Sequence, residues 1–450
     1  MFELPIINLM QAGSEALLKE IKRKLSLDDV LLGQDEQHLR SLATVQQIIS
    51  AVKKDGDRAV AEFASKFDDP GVTIDTLRVT KDEMTHAVKN ADAKLVAALD
   101  TAIENVRRFQ KAMLSPDLPA IAPVGAHCAS GAQLRIRTVP LNRVGIYVPG
   151  GAGAYPSTLI MTAVPAQEAG VKSLCVCSPA KGGRVAPAVL VAAARLGLTE
   201  IYGVGGAHAI AAMALGTGQI RRVDKIVGPG NWYVQLAKRE LFGVVDIDSF
   251  AGPSEVVVLA DSSANPAVVA AELLAQAEHA PGSCILVTPD ADFALEVQAD
   301  ISRQMVDLPR RDLTQKALTF ASAIIVTGDH DAAVALTNEL APEHLQISTR
   351  HARKDAAAIT TAGAIFIGPF SPVAAGDYLA GPSHVLPTSG TGRFFSGLSA
   401  DSFRRRMSMI EFDADALAAA IAPLGVLARA EGFEGHARSA EMRVQKSEPH

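Results

Sequence analysis

The chain has 450 residues, of which 48% are hydrophobic and 20% are charged. This composition provides a sizeable apolar core and excludes intrinsic disorder over most of the length. With 43 basic and 49 acidic side chains, a net charge of −6 and only 5% aromatic residues, a surface for nucleic acid or anionic membrane is not expected.

The N-terminus lacks the basic start and the small-residue cleavage site of a signal peptide. No stretch reaches the roughly 18 apolar residues that a transmembrane helix requires. The four cysteines include no CxxC pair, which favours a reducing compartment over a disulfide framework. We therefore expect a soluble globular protein of the cytoplasm.

Apolar residues at helical spacing predict helices over roughly the first 110 residues. Beyond Pro116, short β-branched runs alternate with Ala-rich helical stretches and Gly-rich turns. Strands are predicted at VGIYV (144–148), SLCVCS (173–178), EIYGV (200–204), DKIV (224–227), EVVVLAD (255–261), CILVTPD (284–290), AIIVTGD (323–329) and AIFIGPF (364–370). Parallel strands linked by helices explain this alternation, because a parallel pair needs a crossover connection.

The predicted fold class is α/β, with two Rossmann-like, incomplete, doubly wound modules, N-terminal helices and a helical C-terminal tail. The expected domains are an N-terminal helical segment at 1–43, a main α/β domain at 44–146 with 255–398, a second Rossmann-like domain at 147–254, and the tail at 399–450. The N-terminal helices are expected to pack on the later module.

Three glycine-rich loops follow predicted strands of the earlier module. GVGGAH (203–208) places His208 where a dinucleotide fingerprint has its third glycine, so that pattern is incomplete, and such loops are as often plain turns. PGGAGAYPS (149–157) and GPGN (228–231) also lie at carboxyl ends of strands, where open α/β sheets bind ligands. A cofactor site and simple turns both remain open on these residues alone.

Two pairs of polar residues are candidates for a metal site and for acid–base catalysis. Gln276 and His279 are three residues apart on a predicted helix and share a face, so they would suit a metal, although a histidine on a helix is more often a satisfied surface residue. Glu343 and His344 are adjacent after a helix that ends near Leu340, and they would divide acid and base work or simply lie in a solvated loop.

Further polar residues lie in a Gly/Pro-rich segment and in the tail. Asp377 and His384 are seven residues apart, either converging on one site or lying in turns shaped by glycine and proline. Glu431 and His436 belong to a polar set near the C-terminus.

Taken in order, these motifs resemble those of histidinol dehydrogenases, from roughly residue 45 to residue 445. The resemblance is carried by AGPSEV (251–256), QAEH (276–279), APEHL (341–345), GDY (376–378), HVLPT (384–388) and EG…H (431–436), with VGIYVPGG, GGAHAIAA and VDKIVGPGN in the earlier module.

The resemblance implies oxidation of L-histidinol to L-histidine through L-histidinaldehyde, by two successive hydride transfers to NAD with one Zn²⁺ per subunit. His344 would take the alcohol proton, and Glu343 would activate water in the second oxidation. The implied zinc ligands are Gln276, His279, Asp377 and His436. The implied NAD contacts, in the 147–254 domain, are Tyr147, His208 and Asn231. The implied substrate contacts are Ser254, Gln276, His279, Glu343, His344, Asp377, His384, Glu431 and His436.

The family is an intertwined homodimer, so Glu431 and His436 would serve the partner subunit's site. Two positions depart from the family pattern. His208 stands where glutamine is usual, from which we expect weaker or pH-sensitive cofactor binding, and Ser383 stands where asparagine is usual. No cysteine lies in a catalytic motif, so all four are assigned structural roles.

Three other functions remain open at this point. A dehydrogenase of another amino alcohol or polyol is opposed by Glu431 and His384. A zinc hydrolase using Glu343 as base is opposed by the surplus of glycine-rich loops at strand ends. A metal-binding scaffold without activity is opposed by the presence of both Glu343 and His344.

Overall fold

The structure, a computed structural model, describes residues 3–26, 33, 35–121, 131–150, 153–279 and 282–444. Its described residues fall into two compact units, Met1–Met113 with Asn142–Phe403 and Leu114–Leu141 with Arg404–His450. No helix in these ranges is both long and apolar enough to cross a membrane.

The first unit contains two parallel sheets with related strand orders. The earlier sheet has the order β6-β5-β4-β7-β8, formed by β4 (Arg143–Tyr147), β5 (Ser173–Cys177), β6 (Ile201–Tyr202), β7 (Lys225–Val227) and β8 (Asp246–Ile247). The later sheet has the order β1-β11-β10-β9-β12-β13, formed by β1 (Ile6–Asn8), β9 (Ser254–Ala260), β10 (Gly282–Thr288), β11 (Ala323–Val326), β12 (His344–Ser348) and β13 (Ala364–Ile367). Apart from β1, both orders place the third, second, first, fourth and fifth strands side by side. This doubly wound arrangement confirms the predicted pair of Rossmann-like modules.

Helices cover the two sheets. Those that follow the strands of the earlier sheet are α6 (Pro156–Glu168), α7 (Pro187–Arg195), α8 (Gly206–Leu215) and α9 (Trp232–Leu241). Those of the later sheet are α10 (Pro266–Ala277), α11 (Ala291–Gln304), α12 (Arg311–Ala321), α13 (His330–Leu340), α14 (Ala352–Ala358) and α15 (Val373–Tyr378). In β9, Val256 and Val258 pack in one apolar cluster and Val257 and Leu259 in another, because successive side chains point to opposite faces and both faces are buried.

The similar segments CILVTPD and AIIVTGD end in the same local structure. Asp290 accepts hydrogen bonds from the amides of Asp292 and Phe293 at the start of α11, and Asp329 accepts one from Ala332 at the start of α13. Each aspartate is therefore the N-cap of the helix that follows its strand.

The N-terminal segment corrects two expectations. Its helices are α1 (Ser14–Leu25), α2 (Glu36–Asp55), α3 (Asp57–Phe67), α4 (Lys81–Lys89) and α5 (Ala93–Ala112), but β1 precedes them and pairs in parallel with β11. The expectation that these helices pack on the later module is wrong for α2 and α3, whose Val45, Ile48 and Val60 are buried in the core of the earlier module. The sequence pattern does not decide between the earlier and the later module, because the apolar face of an amphipathic helix can pack on either core. The domain boundaries stay a prediction.

The second unit contains an antiparallel sheet with the order β14-β3-β2, formed by β2 (Leu118–Ile121), β3 (Ala132–Pro140) and β14 (Arg404–Phe412). It also contains α16 (Ala414–Ala430) and α17 (Glu434–Glu441). The predicted tail is therefore helical only after Phe412, because the residues before it pair with β3 over its whole length.

Candidate active site

Both sheets of the first unit line the same cavity. The earlier sheet contributes loops at the carboxyl ends of its strands, and the later sheet contributes residues at the amino ends of its strands. The loops after β4 and β7 contribute Pro149, Gly150 and the segment 228–231, which is the switch point of the earlier sheet. The later sheet contributes Ser254 and His344, the first residues of the neighbouring strands β9 and β12. The cavity measures about 480 Å³, the size of a small-molecule site.

Glu343 and His344 are buried, so the alternative of two solvated loop residues is wrong. Helix α13 ends at Leu340, and Ala341 adopts a left-handed φ of 47° that turns the chain inward. Glu343 is 6% exposed and His344 is 4% exposed. A left-handed alanine is strained, which is common where a site imposes the backbone path.

Two hydrogen bonds hold the Glu343 carboxylate. Its Oε2 accepts from the Ser254 hydroxyl at 2.7 Å and from the Glu255 amide at 2.9 Å. The Ser254 hydroxyl in turn accepts from the side-chain amide of Gln276 at 2.8 Å. In the described residues no group binds Oε1 of Glu343, so that oxygen remains available to a ligand.

The His344 ring has a defined tautomer. Its Nδ1 lies 3.1 Å from the carbonyl oxygen of Glu255, and because a carbonyl only accepts, Nδ1 carries the hydrogen. Within the described ranges Nε2 has no hydrogen-bond partner, although Oδ1 of Asp377 lies 3.5 Å away. Burial opposes the charged ring, but the Glu343 and Asp377 carboxylates outweigh it and raise the pKa of His344 well above its ordinary value. His344 is therefore a stronger base than an ordinary histidine, and Nε2 of its neutral form is the atom that can take up a proton.

The predicted metal ligands of the first unit lie at this cavity or directly behind it. Gln276 is in the last turn of α10 and is 4% exposed, whereas His279 lies just beyond the helix rather than on it as expected. His279 and Asp377 both line the cavity. Burial raises the pKa of Asp377, but the nearby His344 ring, whose Nε2 lies 3.5 Å from Oδ1, lowers it below its ordinary value overall.

These donors fit a zinc ion in type, since an amide oxygen, an imidazole and a carboxylate are all ligands that Zn²⁺ accepts. In the described ranges no group of three or more His, Cys, Asp and Glu side chains is arranged to hold a metal ion. The His–Asp pair of this unit does not reach that number by itself, because Gln276 is an amide and His436 belongs to the other unit.

Asp377 and His384 converge as the spacing suggests. Nδ1 of His384 donates to the backbone carbonyl of Asp377 at 2.9 Å. Burial lowers the pKa of His384, so its ring is neutral and its Nε2 is an acceptor. Ser383 donates its hydroxyl to the carbonyl of Met161 at 2.9 Å, so the residue that replaces the family asparagine is fully used within the protein.

Glu431 and His436 lie in the second unit, at the C-terminal end of α16 and in α17. Both side chains are exposed, and His436 stacks on Phe433 with ring centroids 5.0 Å apart. Both line a cavity of about 510 Å³ between these two helices. Their position relative to the site of the first unit stays a prediction.

A larger cavity of about 1060 Å³ adjoins the first, because Pro149, Gly150 and Asn231 line both. Tyr147, His208 and Asn231, the three predicted cofactor contacts, all line it. Asn231 caps α9 through Oδ1, 3.2 Å from the Val234 amide, which leaves its amide nitrogen for a ligand. Gly228 must be glycine, since a Cβ there would lie 2.0 Å from the Tyr147 carbonyl oxygen.

His208 is less accessible than the sequence suggests. It is 1% exposed, packs beside Phe63 and Phe67, and its Nε2 lies 3.1 Å from Oδ2 of Asp68. The role of His208 is thus tied to Asp68, which the sequence reading misses because the two residues are far apart along the chain.

A buried ion pair beside the site is also missed. Lys238 donates to Oδ1 of Asp248 and to the carbonyl of Gly228, both at 2.6 Å, and the side chains are 1% and 4% exposed. Asp248 accepts from the amides of Gly228 and Ser249 at 2.7 and 2.8 Å. The pair joins the loops that follow β7 and β8. No motif could have identified it, since only tertiary contact makes these charges partners.

Comparison with known proteins finds relatives that match nearly the whole chain. Residues 33–444 match the sequence model of the histidinol dehydrogenase family. A histidinol dehydrogenase from Rhodopirellula baltica is 47% identical over 408 residues, which cover 90% of this chain and 87% of that protein. One from Geobacillus kaustophilus is 46% identical over 433 residues, covering 96% of this chain and all of that protein (100%). The crystal structure of histidinol dehydrogenase from Elizabethkingia anophelis is similar with a TM-score of 0.89 at 32% identity, covering 99% of both chains.

Proposed function

Because this chain belongs to the histidinol dehydrogenase family, we propose that Glu343 and His344 carry out its acid–base chemistry at the smaller cavity, with NAD in the larger one. The family catalyses the final steps of histidine biosynthesis, the NAD-dependent oxidation of L-histidinol to L-histidine in two steps, and this chain is an NAD-dependent oxidoreductase of that kind. The sequence-based prediction of this activity is confirmed. The roles of individual residues are our proposal.

The observation that carries the proposal is the free Nε2 of His344 at the wall of a cavity that adjoins the larger one. In the first oxidation, Nε2 of the neutral His344 ring accepts the hydroxyl proton of histidinol while the carbon loses a hydride. Nδ1 stays bonded to the Glu255 carbonyl, so the ring keeps its orientation as it becomes charged. The two nearby carboxylates stabilise that charge.

Glu343 is proposed to act in the second oxidation. Its Oε2 is held by Ser254 and the Glu255 amide, so Oε1 is positioned to take a proton from water as the water adds to the aldehyde. As the water adds, the charged His344 ring returns its proton to the aldehyde oxygen. The hydrated aldehyde then gives up its hydride, and the neutral His344 ring again takes the hydroxyl proton. NAD supplies the hydride acceptor for both steps.

A thiolate route is not supported by the described cysteines. Cys175, Cys177 and Cys284 are buried free thiols and none lines either cavity, while Cys128 lies outside the described residues. Burial raises the pKa of Cys284 to about 12. With no thiol of the described residues at either cavity, water is the proposed nucleophile. Free thiols also support the proposal that the enzyme works in the reducing cytoplasm.

We further propose that zinc binds to Gln276, His279 and Asp377 together with His436 of the tail, and that Ser254, His384 and Glu431 contact the substrate. Zinc would supply a Lewis acid that orients the amine and imidazole of histidinol. Glu431 would pair with the ammonium group, which a carboxylate suits.

The proposed assembly is a homodimer in which Glu431 and His436 complete the partner subunit's site. Large apolar side chains on the second unit support this, since Ile410, Val426 and Leu427 are 71%, 69% and 66% exposed. These exposed apolar side chains are available to pack on a partner subunit.

The test is to follow NADH absorbance with L-histidinol, NAD and added zinc, and to count NADH against histidinol consumed. Two NADH per histidinol with histidine as product is the expected result. A single NADH with the aldehyde as product would contradict the role of Glu343. Loss of activity on chelation, restored by Zn²⁺ alone, is expected from the ligand set.

A further inference from the structure

The larger cavity contains a positive pair of side chains to which nothing so far gives a role. Its acidic and basic lining residues are Asp68, Lys181, Arg184 and His208. A dinucleotide carries two negatively charged phosphates. In this cavity they need hydrogen-bond donors or positive charges from the lining residues.

The glycine-rich turn is a poor place for the phosphates, although such turns often bind them. The Gly205 amide donates to Oδ2 of Asp68 at 2.8 Å, and the Gly206 amide donates to the Tyr147 hydroxyl at 3.1 Å. The Asp68 carboxylate therefore occupies the start of α8, where it would also repel a second anion. The Gly228 amide is likewise used, since it donates to Asp248 at 2.7 Å.

Lys181 and Arg184 are free by contrast. In the described part of the chain neither side chain has a hydrogen bond or ion pair, and both are exposed at the cavity. The turn between them is tightly built: Gly182 and Gly183 have φ values of 60° and 76°, and the Lys181 amide donates to the Arg184 carbonyl at 2.9 Å. Asp69 accepts from the Gly183 amide at 2.9 Å and ties the turn to the end of α3.

Given the proposal that NAD occupies this cavity, we propose that Lys181 and Arg184 bind its pyrophosphate, in place of the backbone amides of the glycine-rich turn. The lysine offers a mobile ammonium and the arginine a planar fork of donors, a combination suited to adjacent phosphate groups. Asp68 and His208 then support the glycine-rich turn and contact the uncharged parts of the cofactor.

The experiment measures binding to the full-length protein by calorimetry, with NAD, NADP, ADP-ribose and adenosine as probes. Lys181→Ala/Arg184→Ala is compared with wild type and with Lys172→Ala, a matched control on an exposed lysine of the same module that lines neither cavity. The double variant is expected to bind NAD, NADP and ADP-ribose about tenfold more weakly at low salt. Its affinities should also lose most of their salt dependence.

Adenosine, which has no phosphate, should bind to the double variant and to the wild type with the same affinity. Unchanged NAD and ADP-ribose affinity in the double variant would overturn the proposal, as would a loss confined to NADP, which would place the 2′-phosphate at this pair. Because ADP-ribose binding needs no turnover, the result is independent of whether the wild type oxidises histidinol. Failure of that activity would count against the proposed function alone.

Discussion

The buried pair Lys238–Asp248 gives a quantitative test of how the site is held together. Replacing Lys238 with Met removes the ammonium but keeps the packing volume of its chain. The Asp248 carboxylate then keeps the Gly228 and Ser249 amides as donors, at 2.7 and 2.8 Å. Replacing Asp248 with Ala instead leaves both amides without their acceptor and leaves the buried ammonium with only the Gly228 carbonyl.

These contacts set the expected magnitudes. Breaking a buried ion pair by removing one partner costs about 3–5 kcal/mol of unfolding free energy. We expect Lys238→Met near the lower end, about 3 kcal/mol, since two amides still solvate the carboxylate. We expect Asp248→Ala at about 5 kcal/mol, since it also removes the acceptor of two backbone donors.

Urea unfolding followed by circular dichroism measures both changes. The matched control is Lys225→Met, because Lys225 pairs with Asp246 at 2.9 Å in the same module but Asp246 is 51% exposed. That control should cost less than about 1 kcal/mol from its ion pair. The reasoning is refuted if Lys238→Met costs no more than the control, or if it costs more than Asp248→Ala.

Three further results are expected. Glu343→Ala should slow the oxidation of L-histidinaldehyde by NAD by about a hundredfold or more, and should slow the reduction of the aldehyde by NADH less. The rates of the two reactions are measured separately, and equal losses would contradict water activation by Glu343. Burial raises the pKa of Glu255 to about 8, so the folded chain holds a proton there that the unfolded chain has lost. The unfolding free energy of the wild type, measured by denaturant titration, should therefore fall as the pH rises from about 5 to about 8. Glu255→Gln should weaken that fall, and an unaltered pH profile in this variant would contradict a protonated Glu255 in the folded chain. Mixing His436→Ala with His344→Ala subunits should restore activity through one intact site per heterodimer, whereas verified heterodimers without activity would contradict a shared site.

Local pattern was sufficient for much of the fold. The strands of both modules follow from short β-branched runs between helical stretches, because a parallel strand buried on both faces is apolar along its whole length. The exceptions depend on distant partners. Strand β1 is three residues long and exists only because β11 lies beside it. Strands β8 and β12 are not among the predicted strands, and β12 starts at His344 itself.

The sequence by itself determined the family, the activity and the set of polar residues available for it, because motif order and spacing are properties of the chain alone. Only the tertiary structure decided how those residues are paired: that Glu343 is held by Ser254, that His344 presents a free Nε2, and that Asp68 occupies the glycine-rich turn. Hydrogen bonds and burial act over a few ångströms between residues far apart in sequence. A linear pattern can therefore name the participants, whereas their protonation and partners depend on the folded chain.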